Sequence, residues 1–210
     1  MSNEVKTKEK VDMDPKYIIT LTVTLFVTCV IVAGLLGLVN QVTAPNIAAI
    51  NKEKTETAMK AVVADPEGST FSDALEITEE MNAAASAAGG SVPEAYEVQA
   101  GGAAAGYAIK VVASGSQGNI EMMVGVDAEG TVTGVSVVDS SETAGIGTKV
   151  TENEPLASGV GVLEQFIGKS AADGTLTVGT NVEAITGATV STRGVTTGVN
   201  TALAVAGVMG

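Results

Sequence analysis

Four hydroxyl side chains crowd into one short stretch near the C-terminus, residues 185–192, ITGATVST: Thr186, Thr189, Ser191 and Thr192. Gly187 removes a side chain at the turn, and Ala188 keeps the next position small. Thr192 reads as the N-cap of a helix beginning at Arg193. The free amides and positive end of such a helix favour a nearby phosphate, and Arg193 adds a charge of the right sign. Spacing alone favours an ordinary capped turn, and the phosphate-binding reading stays open beside it.

Other chemistry is excluded by composition. The 210 residues contain no His and one Cys, Cys29. An imidazole base, a Ser-His-Asp triad, a His-ligated zinc and an iron–sulfur cluster held by this chain alone are therefore ruled out, as is an intrachain disulfide. A net charge of -13 argues against nucleic acid as a partner, since that needs basic patches to displace counterions.

That acidity coexists with a mean hydropathy of +0.33, which implies one very apolar segment joined to a charged remainder. The apolar segment is residues 17–39, without a single charge. As a helix it extends roughly 35 Å, enough to cross a hydrocarbon core of about 30 Å. The run is too long for a secretory signal and reads as an uncleaved anchor in a lipid bilayer. Thr20, Thr22, Thr24 and Thr28 can bond back to their own helix. Lys6, Lys8, Lys10 and Lys16 precede the span, against Lys52 and Lys54 after it. This bias predicts a single-pass protein of the cell membrane with its N-terminus in the cytoplasm and its C-terminal domain outside.

The elements that must position the hydroxyl cluster follow. A helical pattern runs from Pro45 to about Val63 as a stalk, and Asp65-Pro66-Glu67-Gly68 stops it. Residues 83–92, AAASAAGGSV, read as a loop. Segments 94–99, 105–114, 119–127 and 131–140 are rich in Val, Ile and Tyr and separated by glycine-containing turns, which predicts an antiparallel meander. A helix is expected near residues 156–168, a short strand at 175–178, and a closing helix from Arg193. The fold class is α+β, with a single transmembrane helix before an antiparallel sheet flanked by helices. The expected divisions are 1–16 as a cytoplasmic segment, 17–39 as the span, 40–93 as stalk and variable region, and 94–210 as the outer domain.

The strand region from GYAIKVVAS to SSETAGIG, followed by ITGATVSTRGV, resembles the FMN-binding domain family. With its anchor, the whole chain resembles the G subunits of Rnf complexes, the ion-translocating ferredoxin:NAD oxidoreductases. The C subunit of sodium-pumping NADH:quinone oxidoreductase shares the architecture. The resemblance implies FMN attached through its phosphate to a threonine hydroxyl by a separate flavin transferase. Carried over, the acceptor is Thr189, within Thr186-Gly187-Ala188-Thr189-Val190-Ser191; Ser191 and Thr192 are the neighbouring alternatives. The family commonly has Asp where this chain has Glu183. Residues 142–147, ETAGIG, resemble the family's Glu-Thr-Pro-Gly-Leu-Gly beside the flavin, with Ala144 in place of proline. Glu142, Thr143, Gly145 and Gly147 are thereby implied as cofactor contacts, the glycines letting backbone amides approach the ring or phosphate.

The resemblance implies a redox subunit within a larger membrane complex rather than a complete enzyme, with no catalytic acid or base of its own. Other subunits and the flavin transferase are the expected partners. Two alternatives remain: the equivalent flavin subunit of a sodium-pumping quinone reductase, and a membrane-anchored, non-redox assembly module in which TGATVST is only a helix cap.

Overall fold

The computed structural model describes residues 14–210. Lys6, Lys8 and Lys10, which weigh in the orientation expected above, lie outside these. The chain divides into two compact units, Met1–Asn51 and Lys52–Gly210.

Helix α1 (Pro15–Ala61) begins in the first unit and ends in the second. Its apolar stretch is long and apolar enough to cross a membrane, with a mean hydropathy of 2.5. Side chains such as Leu25 and Phe26 are exposed, as expected where lipid rather than protein covers them. The threonines solve their polarity locally. Thr20, Thr22, Thr24 and Thr28 each donate a 2.8 Å hydrogen bond to the carbonyl four residues earlier. The anchor and the stalk thus form one helix, with Pro45 inside it.

The second unit is built on a five-stranded antiparallel sheet in sequence order: β1 (Ser69–Phe71), β2 (Ser91–Ala100), β3 (Ala103–Ser114), β4 (Asn119–Asp127) and β5 (Val132–Ser140). Strand β4 is nearly all apolar because both faces of the sheet are covered. On one face Ile120, Met122, Val124 and Val126 pack beneath helix α4 (Thr189–Met209), and helix α2 (Glu79–Ala87) packs against α4 and β2. On the other, Met123 joins Val98 and Ala108 beneath Ala58, Met59 and Val62 from the end of α1. Gly125 and Gly134 are cross-strand partners beneath Val62. A side chain on Gly125 would collide with the Val62 carbonyl oxygen, and a Cβ on Gly134 would stand 2.7 Å from the Val62 Cα. The helix end therefore seats directly on sheet backbone.

Polar groups on the second face are paired. Lys110 bridges Glu94 at 3.7 Å and Glu121 at 3.8 Å. The Tyr96 hydroxyl donates to Glu94 at 2.8 Å. Burial, then this bond and the adjacent carboxylate charge, push the Tyr96 phenol up from 10.0 to about 12. The folded chain therefore keeps this proton to higher pH than the unfolded one. The resulting stability is complete below pH 10.0 and is lost as pH rises to about 12. Denaturant unfolding across this window should show a steeper decline for the wild type than for Tyr96→Phe.

Several local expectations are corrected. Residues 83–92 are not a loop: Glu79–Ala87 is helical, started by the Thr78 hydroxyl accepting from the Met81 amide, and β2 begins at Ser91. Alanine favours helix when a cap nucleates it. No long helix forms near 156–168; a 3₁₀ turn, Glu164–Phe166, serves to bury Phe166. The strand expected at 175–178 is reduced to a bridge between Val178 and Val182. Residues 64–93 supply β1 and α2, which belong to the compact unit Lys52–Gly210.

Candidate functional site

Helix α4 starts at Thr189, with Ala188 as its N-cap, and not at Arg193. Thr192 is inside the helix, where its hydroxyl donates to the Ala188 carbonyl at 3.0 Å instead of capping. Gly187 makes this early start possible. The chain turns through residues 185–188, closed by Ala188 N–H donating to the Ile185 carbonyl at 2.9 Å, and Gly187 has φ of 86°. That left-handed value suits glycine at the third position of the turn. Because Ala188 has no side-chain acceptor, the first amides of α4 are left uncapped by the N-cap residue.

The four hydroxyls are thereby sorted. Ser191 is buried and donates to Glu142 Oε2 at 2.6 Å. Thr192 is buried and committed to its own helix. Thr186 is exposed on the turn. Thr189 is half-buried and lines a cleft of about 140 Å³. Gly187, Ala188 and Ser191 share this lining with Thr189, while Glu142, Thr143 and Gly147 form the opposite side. The two segments singled out in the sequence thus meet at one cleft. Gly145 does not line it.

The amides of the glycine loop are taken up within the loop. Its amides do not point at the cleft: Gly147 N–H donates to the Thr143 carbonyl at 2.9 Å, and Gly145 N–H to Thr148 Oγ1 at 2.9 Å. Gly147 matters because a side chain there would collide with Glu142 Oε2. Gly115, in the β3–β4 turn, leaves the same room beside Glu142 Oε1. Glu142 is buried between them, and Oε1 accepts from the Ser116 amide at 2.6 Å. One carboxylate therefore ties together the β3–β4 turn, the 142–147 loop and the start of α4. Replacing Ser191 by Ala leaves Oε2 without its hydroxyl donor. The expected cost is about 2 kcal/mol in denaturant unfolding.

Ser116 was not singled out in the sequence, where its segment reads only as a glycine-containing turn; its backbone amide, not its side-chain type, holds Glu142. Ile146 and Val190 also line the cleft and are about half exposed, giving it an apolar lip. Glu183 lies elsewhere, on a second and more open groove of about 530 Å³. Its carboxylate accepts from the Ala157 amide at 3.1 Å, and the Gln165 side chain grips its backbone on both sides. Arg193 is exposed and does not line the cleft.

Residues 115–204 match the FMN-binding domain family, a span that contains the Ser116 turn, the Glu142 loop and the Thr189 segment. The chain is 34% identical over 96% of its length, and 97% of the relative's, to the G subunit of the Na(+)-translocating ferredoxin:NAD(+) oxidoreductase complex of Acetobacterium woodii. It is 29% identical over 90% of its length, and 95% of the relative's, to the G subunit of the ion-translocating oxidoreductase complex of Methanosarcina acetivorans. With a helix fit to span a membrane ahead of an FMN-binding domain, the chain belongs to the family of G subunits of membrane-bound ion-translocating oxidoreductase complexes.

Proposed function

We propose that this protein relays electrons through FMN joined by a phosphoester to the Thr189 hydroxyl, as one redox station of an Rnf-type complex. The observation that carries the assignment is the sorting of the hydroxyls: Ser191 and Thr192 are buried and bonded, whereas Thr189 opens on the cleft at the first turn of α4. The residues present fit the group. A phosphate on Thr189 would lie at the first turn of α4, held there by its ester bond to the chain. Ile146 and Val190 offer apolar surface to a flavin ring.

When bound, FMN supplies the one- or two-electron chemistry. The chain's own work is to fix the tether point, keep the start of α4 in register through Ser191 and Glu142, and hold the domain beside the membrane. Maturation requires a flavin transferase, and electrons pass to and from other subunits of the complex. The lysine bias around the span supports an extracytoplasmic domain. A tether prevents loss of cofactor from such a location.

The test is to produce the full chain with and without a flavin transferase and examine it by denaturing-gel flavin fluorescence and peptide mass spectrometry. The expected result is FMN on the peptide containing Thr189. Protein made with the transferase that shows no bound flavin would sink the redox reading in favour of an assembly module.

A further inference from the structure

The cleft has an unusual electrostatic character for one that is to hold a phosphate. Glu142 is the only charged residue lining it; no Lys or Arg does, among the described residues. The Glu142 carboxylate is buried, with Oε1 accepting from Ser116 N–H and Oε2 from the Ser191 hydroxyl. Donors meet both oxygens. Ser191 belongs to the first turn of α4, so this negative charge already sits at the positive end of the helix.

We propose that Glu142 is a positioning and selectivity residue that closes the cleft to free phosphates and so reserves it for a phosphate held covalently by Thr189. This rests on the reading of Thr189 as tether. The carboxylate does two things at once. Through Ser191 it holds the acceptor turn in helical register. Through its charge it cancels the attraction that the helix start would exert on a diffusing anion. Free FMN and inorganic phosphate are repelled, whereas a phosphoester formed by an enzyme stays whatever the local repulsion. A site that lacks the cations of a reversible phosphate pocket thereby calls for covalent attachment.

Glu142→Gln isolates the charge from the shape. The amide can still accept from Ser116 N–H with its oxygen and donate to Ser191 with its nitrogen. The experiment uses the full chain in detergent, produced without a flavin transferase, titrated with inorganic phosphate by calorimetry and with FMN by fluorescence anisotropy. The wild type should bind both weakly, and Glu142→Gln should bind both roughly tenfold more tightly. Val190→Lys, at an exposed position on the same cleft, leaves Glu142 in place and offsets its charge; it should tighten binding of inorganic phosphate, which makes no use of the apolar lip, and this arm is read if Glu142→Gln does not fold. Ser191→Ala keeps the carboxylate and should gain nothing.

The proposal is overturned if neither Glu142→Gln nor Val190→Lys gains affinity. It is equally overturned if the wild type already binds as tightly as the variants, or if Ser191→Ala gains as much as Glu142→Gln, which would mean loosening rather than charge. Covalent flavin on Thr189 is read separately, by mass spectrometry of chain made with the transferase. Failure of the tether assignment and failure of the charge barrier are therefore distinct outcomes.

Discussion

Thr189→Ala, produced together with a flavin transferase, should carry no covalent flavin, while Thr189→Ser should retain it. The loss is expected to be essentially complete, because no neighbour can take over. Ser191 is two residues away in sequence, but its hydroxyl is buried and donates to Glu142 at 2.6 Å. Thr192 is fully buried and bonded to Ala188. To act as acceptor, either would have to break its hydrogen bond and unwind the first turn of α4. Thr186 is exposed but stands outside the cleft, across the left-handed Gly187 turn. The Thr189 side chain is only half-buried, so its truncation should shift stability by no more than about 0.5 kcal/mol. In-gel flavin fluorescence together with a melting curve separates the two effects. Flavin remaining on Thr189→Ala would transfer the tether to another hydroxyl and leave the relay function standing.

The largest expected effect on folding comes from Gly125→Val. Gly125 and Gly134 face each other on β4 and β5, and the Val62 backbone rests on both. Thr133 anchors the same point by donating to the Val62 carbonyl at 2.6 Å. A valine at 125 would meet that carbonyl and the Thr133 hydroxyl, neither of which is the free end of a flexible chain. The end of α1 must lift, and Ala58, Met59 and Val62 lose the cover they share with Met123. The expected cost is about 3 kcal/mol, which lowers the melting temperature by roughly 10 °C. Gly207→Ala is the contrasting control. Gly207 is in α4, is exposed and has nothing within 4 Å of a new Cβ. That change should be neutral or should stabilise by up to about 1 kcal/mol, since alanine favours helix. If both variants melt alike, the glycine seat is not what holds α1 to the sheet.

Much of the architecture is written locally, in patterns that need no distant partner. An uncharged apolar run of this length has one common fate, and its threonines bond within their own helix. The strand segments declare themselves by β-branched residues between glycine turns, and β4 matches residues 119–127 at both ends. The pairing of the two cleft-lining segments, ETAGIG and ITGATVST, was legible only through family resemblance, because neither motif names the other.

Tertiary contacts settled the remainder. The α4 start moved from Arg193 to Thr189 because the Gly187 turn let the helix begin early and Thr192 turned inward against Ala188. An alanine-rich stretch became α2 because it packs on α4. The glycine loop proved to spend its amides on itself and to use Gly147 as space for a carboxylate. Sequence alone presented four similar hydroxyls in a row. Which of them is free depends on burial and on a carboxylate 49 residues earlier in the chain, and such a contact exists only once the sheet has brought its loops together.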